Sequence, residues 1–306
     1  MPSEAEKELA LAEYYEKIRN ARVRLQTEFD KNERKEVDIK NFTALSVIGS
    51  GGFGSVYKAS TNGQGPYAVK VQKKSFIRKY GLQKEIILER KLMAYMDSPF
   101  VMELLSHFKD ADNLYLVMPL ARYGDLYKML KRSGAVPEAR AVKIIIQVVL
   151  ALEYCHACSL IHRDLKPHNI LIFERGRVKI SDFGCCVRSD GQVFGMAGTS
   201  LYRAPEMLKG DYYTEAVDWW SLGVIIHQVL LLELPFCGKY DPKPLVISSI
   251  LNASIRTFKS PNYSETAENL VRSLLEKNQA NRLGAIKPGA SFVKNHDWFK
   301  NVDCTS

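Results

Sequence analysis

Between Leu160 and Ile172 the sequence runs LIHRDLKPHNILI, an apolar stretch broken by a histidine, an arginine, an aspartate, a lysine and an asparagine. Downstream, Asp182-Phe183-Gly184 adds a second carboxylate, the two segments flanking a predicted strand turn. Asp164 can accept or orient a proton, and Asn169 and Asp182 offer hard oxygen atoms. That set suits magnesium and a phosphoryl acceptor.

Two upstream segments carry groups suited to phosphate. Gly49 to Val56 reads GSGGFGSV, a spacing that lets backbone N–H groups approach phosphates closely, although a glycine-rich hairpin gives the same letters. A strand rather than a helix follows it, which argues against a dinucleotide fingerprint. YAVK then places Lys70 on a strand, where its ammonium can grip phosphate oxygens. A buried, charged lysine needs a partner. Glu85 and Glu89, one turn apart on a predicted helix over 82–96, both qualify.

The elements that must position these groups are legible as a sequence of types. Residues 4–36 are highly charged, with Leu11, Tyr15, Ile18, Leu25 and Phe29 at helical spacing, which predicts one amphipathic helix. That helix either packs on the domain that follows or binds a regulatory partner. Short β-branched and aromatic runs begin at Phe42 (44–48, 55–59 and 67–72), and two more end at Leu114–Met118. After Gly124 the pattern is helical, apart from strand pairs near 170–173 and 178–181. Strands first and helices second predict an α+β, bilobal chain with a small β-rich lobe and a larger helical one.

Composition excludes several classes. At 306 residues, with 46% hydrophobic and 25% charged residues, the chain matches an ordinary globular protein. Its most apolar stretches, 144–152 and 222–236, contain Gln147, His227, Gln228 and Glu233, so buried helices are expected and not membrane spans. The start, MPSEAEKE, carries no secretory or acylation pattern. The net charge of +9 is dispersed rather than clustered, so no nucleic-acid partner is expected. The six cysteines include Cys155-x-x-Cys158, but no second pair has matching spacing. Reduced thiols and a cytosolic or nuclear location are expected.

In order, GSGGFGSV, YAVK, HRDLKPHN (162–169), DFG, APE (204–206), DWWSLG (218–223) and Arg282 resemble a eukaryotic protein kinase over residues 42 to about 299. SPFVMELLSHFKDADNLYLVM and NRLGAIKPGASFVKNHDWF resemble the AGC group of serine/threonine kinases, whose members usually have a helix or arm before the domain. The resemblance implies an extension over 1–41, a kinase domain over 42–299 (small lobe 42–118, hinge 119–123, large lobe 124–299) and a short end over 300–306. That end lacks the group's full C-terminal tail, so either the chain is truncated or something else props the glutamate helix.

The resemblance also assigns roles. Ile48, Gly49, Ser50, Gly51, Gly52, Phe53 and Gly54 would cover ATP, with Val56, Ala68 and Leu171 lining the adenine pocket and Met118 behind it. Pro119 would offer its carbonyl and Ala121 its N–H to the adenine, and Asp125 would reach the ribose. Lys70, positioned by Glu89, would hold the phosphates. Asp164 would orient the acceptor hydroxyl and Lys166 would contact the transferring group, while Asn169 and Asp182 would hold Mg2+. Glu206 would pair with Arg282, and Asp218 would brace the catalytic loop.

Lys166 and Thr199, in GTSLYRAPE, follow the serine/threonine pattern, so protein substrates with Ser/Thr acceptors are expected. The rival is a scaffold that keeps the fold without the chemistry; it would be expected to lose one of Lys70, Glu89, Asp164, Asn169 or Asp182, and all are present. A kinase for small molecules or lipids would lack GTSLYRAPE. Two departures from the group carry expectations. Gly195 stands where the group usually has a phosphorylated threonine, and Glu85 and Val187 replace two of its basic companions, so an active loop is expected without phosphate there. His168 and Gln228 stand where arginine-directed members carry acids, and the corresponding region near Leu201 also lacks one. Weak preference for upstream arginine follows, with His168 itself a solvent-facing filler.

Overall fold

The computed structural model describes residues 4–29, 42–51, 54–61, 64–238, 240–256, 263–286, 289–300 and 302. Gly52 and Phe53 of the glycine-rich segment, residues 30–41 of the extension and 303–306 at the end lie outside the described residues.

Strands β1 (Phe42–Gly51), β2 (Gly54–Thr61), β3 (Gln64–Lys73), β4 (Ser106–Lys109) and β5 (Asn113–Pro119) form an antiparallel sheet in the order β1-β2-β3-β5-β4. Side chains alternate across a strand, and here the alternation sorts the sheet into two faces. Tyr67, Val69, Val71, Tyr115 and Val117 join Phe42, Ala59 and Phe108 in a small cluster on one face. Ala68, Leu116 and Met118 belong to the main core on the other. Lys70 and Gln72 share the parity of Ala68, so they face the same way. Two register shifts in the β1–β2 pairing, between Ala44 and Ser46 and between Val47 and Gly49, curl the sheet. Gly54 opens β2 at φ +149°, where a Cβ would lie 2.0 Å from the Val71 carbonyl oxygen, so only glycine permits this approach.

Helix α2 (Lys74–Tyr80) stops at Gly81, whose φ of 67° is left-handed. Helix α3 (Gln83–Tyr95) buries Ile86, Glu89, Leu92 and Met93, residues three and four apart that form one face. Helical periodicity therefore carries Glu89 inward and leaves Glu85 exposed.

The helical lobe contains α4 (Leu126–Ser133), α5 (Glu138–Ala157), α6 (Pro205–Lys209), α7 (Ala216–Leu231), α8 (Lys243–Asn252), α9 (Glu265–Leu274) and α10 (Gly289–Lys294). Short pairs β6 (Leu160–Ile161) with β9 (Val187–Arg188), and β7 (Ile170–Ile172) with β8 (Val178–Ile180), frame the chemistry-bearing loops. Helices α5 and α7 are buried almost all round, as their apolar sequences require. No helix among the described residues is long and apolar enough to cross a membrane. Cys155 and Cys158 lie on or just after α5 as buried free thiols. Burial pushes the Cys158 thiol up to about 12 and that of Cys155 well above its ordinary value, which keeps both protonated and unreactive.

Helix α1 (Glu4–Phe29) packs against both α3 and α5. Ala21 and Leu25 are buried in the main core, with Ile18 against it. Tyr15, expected in the apolar stripe, is exposed; its neighbour Tyr14 faces the lobe instead, donating to Glu153 Oε2 at 2.7 Å. Arg22, which interrupts the expected stripe, pairs with Asp190 at 2.7 Å. The described part of this helix packs on the domain, against the helix that carries Glu89.

Candidate active site

The sheet and α3 bring three charges together. Lys70 Nζ donates to Glu89 Oε1 at 2.6 Å and to Asp182 Oδ1 at 3.0 Å. Burial alone would push the Lys70 ammonium down, but the two carboxylates outweigh it and hold its pKa above the ordinary value. The Lys70 charge in turn holds the Asp182 carboxyl below the usual range, against the opposing effect of burial. Gln72, one alternation along β3 from Lys70, donates to Glu89 Oε2 at 3.3 Å. The charged forms of Lys70 and Asp182 are thereby favoured. Gln72 was not singled out from the sequence, although its period-two spacing from Lys70 was the available signal.

The loop between β6 and β7 supplies the opposite side. Asp164 Oδ1 accepts from the Thr199 backbone N–H at 2.9 Å and from its hydroxyl at 2.8 Å. Asp164 Oδ2 accepts from Lys166 Nζ at 2.7 Å, and Lys166 also donates to Thr199 Oγ1 at 2.9 Å. Asn169 Nδ2 donates to the Asp164 carbonyl at 2.8 Å, which leaves its amide oxygen available to a cation. Thr199 thus closes a triangle with Asp164 and Lys166, a contact across more than thirty residues that no local spacing signals.

Asp218 underlies this loop. Its carboxylate accepts from the backbone N–H groups of His162 and Arg163, each at 2.9 Å, and meets His156 Nε2 at the same distance. Burial pushes Asp218 up, but His156, His162 and these N–H groups prevail, and its pKa lies below the ordinary value. Arg163 and Asp182 both hold left-handed backbone, at φ 65° and 66°. Such conformations persist only where the surroundings enforce them. Gly198 packs directly on one of them, since a Cβ there would lie 2.1 Å from the Arg163 carbonyl oxygen.

Ala68 and Met118, opposite each other in the β3–β5 register, belong to the main core, and Ile48, Val56, Ala121 and Leu171 pack against it. Asp125 bridges to Leu171 through the backbone and caps α4 by accepting from the Lys128 N–H at 2.7 Å. Lys128 reaches across to the Ile48 carbonyl at 2.8 Å, tying α4 to β1. A cleft of about 430 Å³ opens between Ser50 and Gly51 above and Lys166, Asn169, Asp182 and Thr199 below. His168 and Gln228 line it too. His168 is exposed, yet it is more than filler: its ring stacks on Tyr127 with centroids 4.0 Å apart. Gln228 Oε1 accepts from the Tyr202 hydroxyl at 2.7 Å.

A two-lobed architecture with a lysine–glutamate pair above the cleft and an Asp-Lys-Asn loop beside an Asp-Phe-Gly turn defines a kinase-type phosphotransferase fold. The model of the protein kinase domain matches residues 42–299. The chain is 34% identical over 266 residues to the cAMP-dependent protein kinase catalytic subunit of Dictyostelium discoideum, which covers 87% of this chain and 40% of that protein. It is 34% identical over 268 residues to the cAMP-dependent protein kinase catalytic subunit 2 of Drosophila melanogaster, covering 87% of this chain and 75% of that one. Ribosomal protein S6 kinase alpha-3 of Homo sapiens is 32% identical over 280 residues, 89% of this chain and 37% of that protein. The matched part thus ranges from about two fifths to three quarters of the relatives' lengths. The chain belongs to the eukaryotic protein kinase family and is AGC-like within it.

Proposed function

We propose that this protein transfers the γ-phosphate of Mg-ATP to serine or threonine hydroxyls of protein substrates. The observation that carries the reading is the Lys70 ammonium held between Glu89 and Asp182, at the same cleft as the Asp164–Lys166–Thr199 triangle. A scaffold without chemistry has no use for this arrangement, because fixing several charges in one partly buried place costs desolvation.

The residues present fit magnesium: Asp182 and the Asn169 amide offer hard oxygen donors. When bound, the metal would supply charge neutralisation at the phosphates. The chain's own groups do the rest. Lys70, fixed by Glu89, holds phosphate oxygens. Ile48, Val56, Ala68, Met118 and Leu171 exclude water around the base, and the backbone of Pro119 and Ala121 fixes its edge. Asp125 reaches the ribose, and the β1–β2 turn, Gly49 to Gly54, covers the phosphates. Asp164, held by Thr199, orients the acceptor hydroxyl and receives its proton at a carboxylate oxygen. Lys166 meets charge on the transferring group.

The same reading extends to specificity. His168 and Gln228 place no carboxylate in the groove, and Asp125 already caps α4 with Lys128 Nζ 3.5 Å from its other oxygen. Weak or absent preference for upstream arginine follows. The test is a degenerate peptide library carrying Ser, Thr and Tyr acceptors, incubated with Mg-ATP and read by mass spectrometry. Phosphoserine and phosphothreonine are the expected products; no transfer, or transfer to tyrosine alone, would reject the proposal.

A further inference from the structure

Arg163, next to the catalytic Asp164, is a cation whose surroundings tie it to a distant part of the chain. Its Nε donates to the Cys185 carbonyl at 2.7 Å, just after the Asp-Phe-Gly turn. Its Nη1 donates to the Tyr213 hydroxyl at 3.1 Å. That hydroxyl donates onward to the Gly195 carbonyl at 2.8 Å. The Tyr213 backbone also grips the same segment, because Val193 N–H donates to Tyr213 O at 2.7 Å and Tyr213 N–H to Val193 O at 2.9 Å. Tyr213 is fully buried in the main core, so its ring is fixed before the hydroxyl makes any bond.

One side chain therefore joins the loop 193–199 to the residue that carries left-handed backbone beside Asp164. The loop returns through Gly198, packed on the Arg163 carbonyl, to Thr199, whose two bonds hold Asp164. Between Ser189 and Thr199 the sequence DGQVFGMAG contains no hydroxyl side chain. Nothing in that stretch can accept a phosphate, and the neutral phenol does the holding.

Resting on the kinase reading above, we propose that Tyr213 is a positioning residue, a built-in latch that fixes the loop and Arg163 in working order without phosphorylation. The chemistry is a hydroxyl that accepts from a guanidinium and donates to a carbonyl, a bridge that phenylalanine cannot make.

Tyr213→Phe keeps the buried ring and deletes only the bridge. Hydrogen exchange of the 191–198 amides should accelerate roughly tenfold, the loss expected for about one hydrogen bond. In peptide phosphorylation kcat should fall by a similar factor, with the KM for ATP within about twofold, since the nucleotide contacts are untouched. A merely structural role would lower the melting temperature without that split. Arg163→Lys, which removes the other end of the bridge, should give the same exchange signature, and adding Tyr213→Phe to it should change little. Exchange and kcat within about twofold of wild type in Tyr213→Phe would overturn the latch, as would a large loss of wild-type turnover after phosphatase treatment. Should Tyr213→Phe not fold, the exchange of Arg163→Lys decides alone: unaltered protection of 191–198 rejects the proposal. Exchange needs no turnover, so an inactive wild type would count against the kinase reading while the latch was still judged.

Discussion

Arg282 and Glu206 meet as a two-pronged pair inside the helical lobe, with Nη1–Oε1 at 2.6 Å and Nη2–Oε2 at 2.9 Å. Both side chains are almost wholly withdrawn from water, at 0% and 5% exposure. Arg282 further donates to the carbonyls of Glu276 and Ala216, each at 3.0 Å, and lies 5.1 Å over the Trp220 ring. The pair links α6, which follows the loop carrying Thr199, to the segment after α9.

Breaking such a pair on one side leaves an uncompensated buried charge, which costs about 3–5 kcal/mol. Arg282→Met and Glu206→Gln should each lower the melting temperature by roughly five to eight degrees, at about 1.6 °C per kcal/mol for a chain of this size. The double variant should lose less than the two singles combined. Calorimetry decides: a single variant melting within about a degree of wild type would contradict the buried-pair account.

At the β4–β5 turn, Asp110 accepts from the Tyr115 hydroxyl at 2.6 Å and from the Asn113 and Asp112 N–H groups at 2.6 and 2.8 Å. The Tyr115 bond leads in holding the Asp110 pKa at about 2. Because the folded pKa lies below the unfolded value of about 4, the contribution to stability is complete above that value. It is lost as pH falls towards 2. In Tyr115→Phe the Asp110 carboxyl should titrate closer to 4, the ordinary aspartate range, as read from its carbon chemical shift. An unchanged titration would remove the hydroxyl as the cause.

The groove makes a prediction about substrates. Installing His168→Glu together with Gln228→Glu should create selection for arginine two or three residues before the acceptor. A charge-assisted bond contributes about 1.5–3 kcal/mol, so each carboxylate that engages gives roughly tenfold or more. The wild-type protein on the same positional array should show little such selection. Strong wild-type selection for upstream arginine would contradict the reading of this groove.

The sequence carried the fold and the charged groups because both are local in origin. Period-two alternation placed Ala68 and Lys70 on one face of β3, and apolar stretches around Ile144 and Leu222 became buried helices. The order of the motifs did the rest. What stayed hidden depends on contacts made far along the chain. Tyr14 and Tyr15 are adjacent and chemically alike, and only the docking of α1 onto Glu153 and Phe100 selects Tyr14. Helix α2 has seven residues and buries only Ile77, too little for a periodic pattern to register. His168 reads as solvated in sequence, and its stacking on Tyr127 appears only when α4 lies beside the loop. Tyr213 sits in DYYTEAV with no spacing that points to Arg163, fifty residues earlier.

The most direct test of the account is single-turnover transfer of γ-phosphate from Mg-ATP to a Ser/Thr peptide by wild-type protein, Lys70→Met and Asp182→Asn. Each substitution removes one charge from the partly buried cluster, on the proposed function a phosphate contact in the first and a metal ligand in the second. Both variants should keep the wild-type circular dichroism spectrum and lose transfer by roughly a hundredfold to a thousandfold, the loss typical of deleting one charge-stabilising group. Near-normal transfer by either folded variant would contradict the assignment of this cleft as the phosphoryl-transfer site.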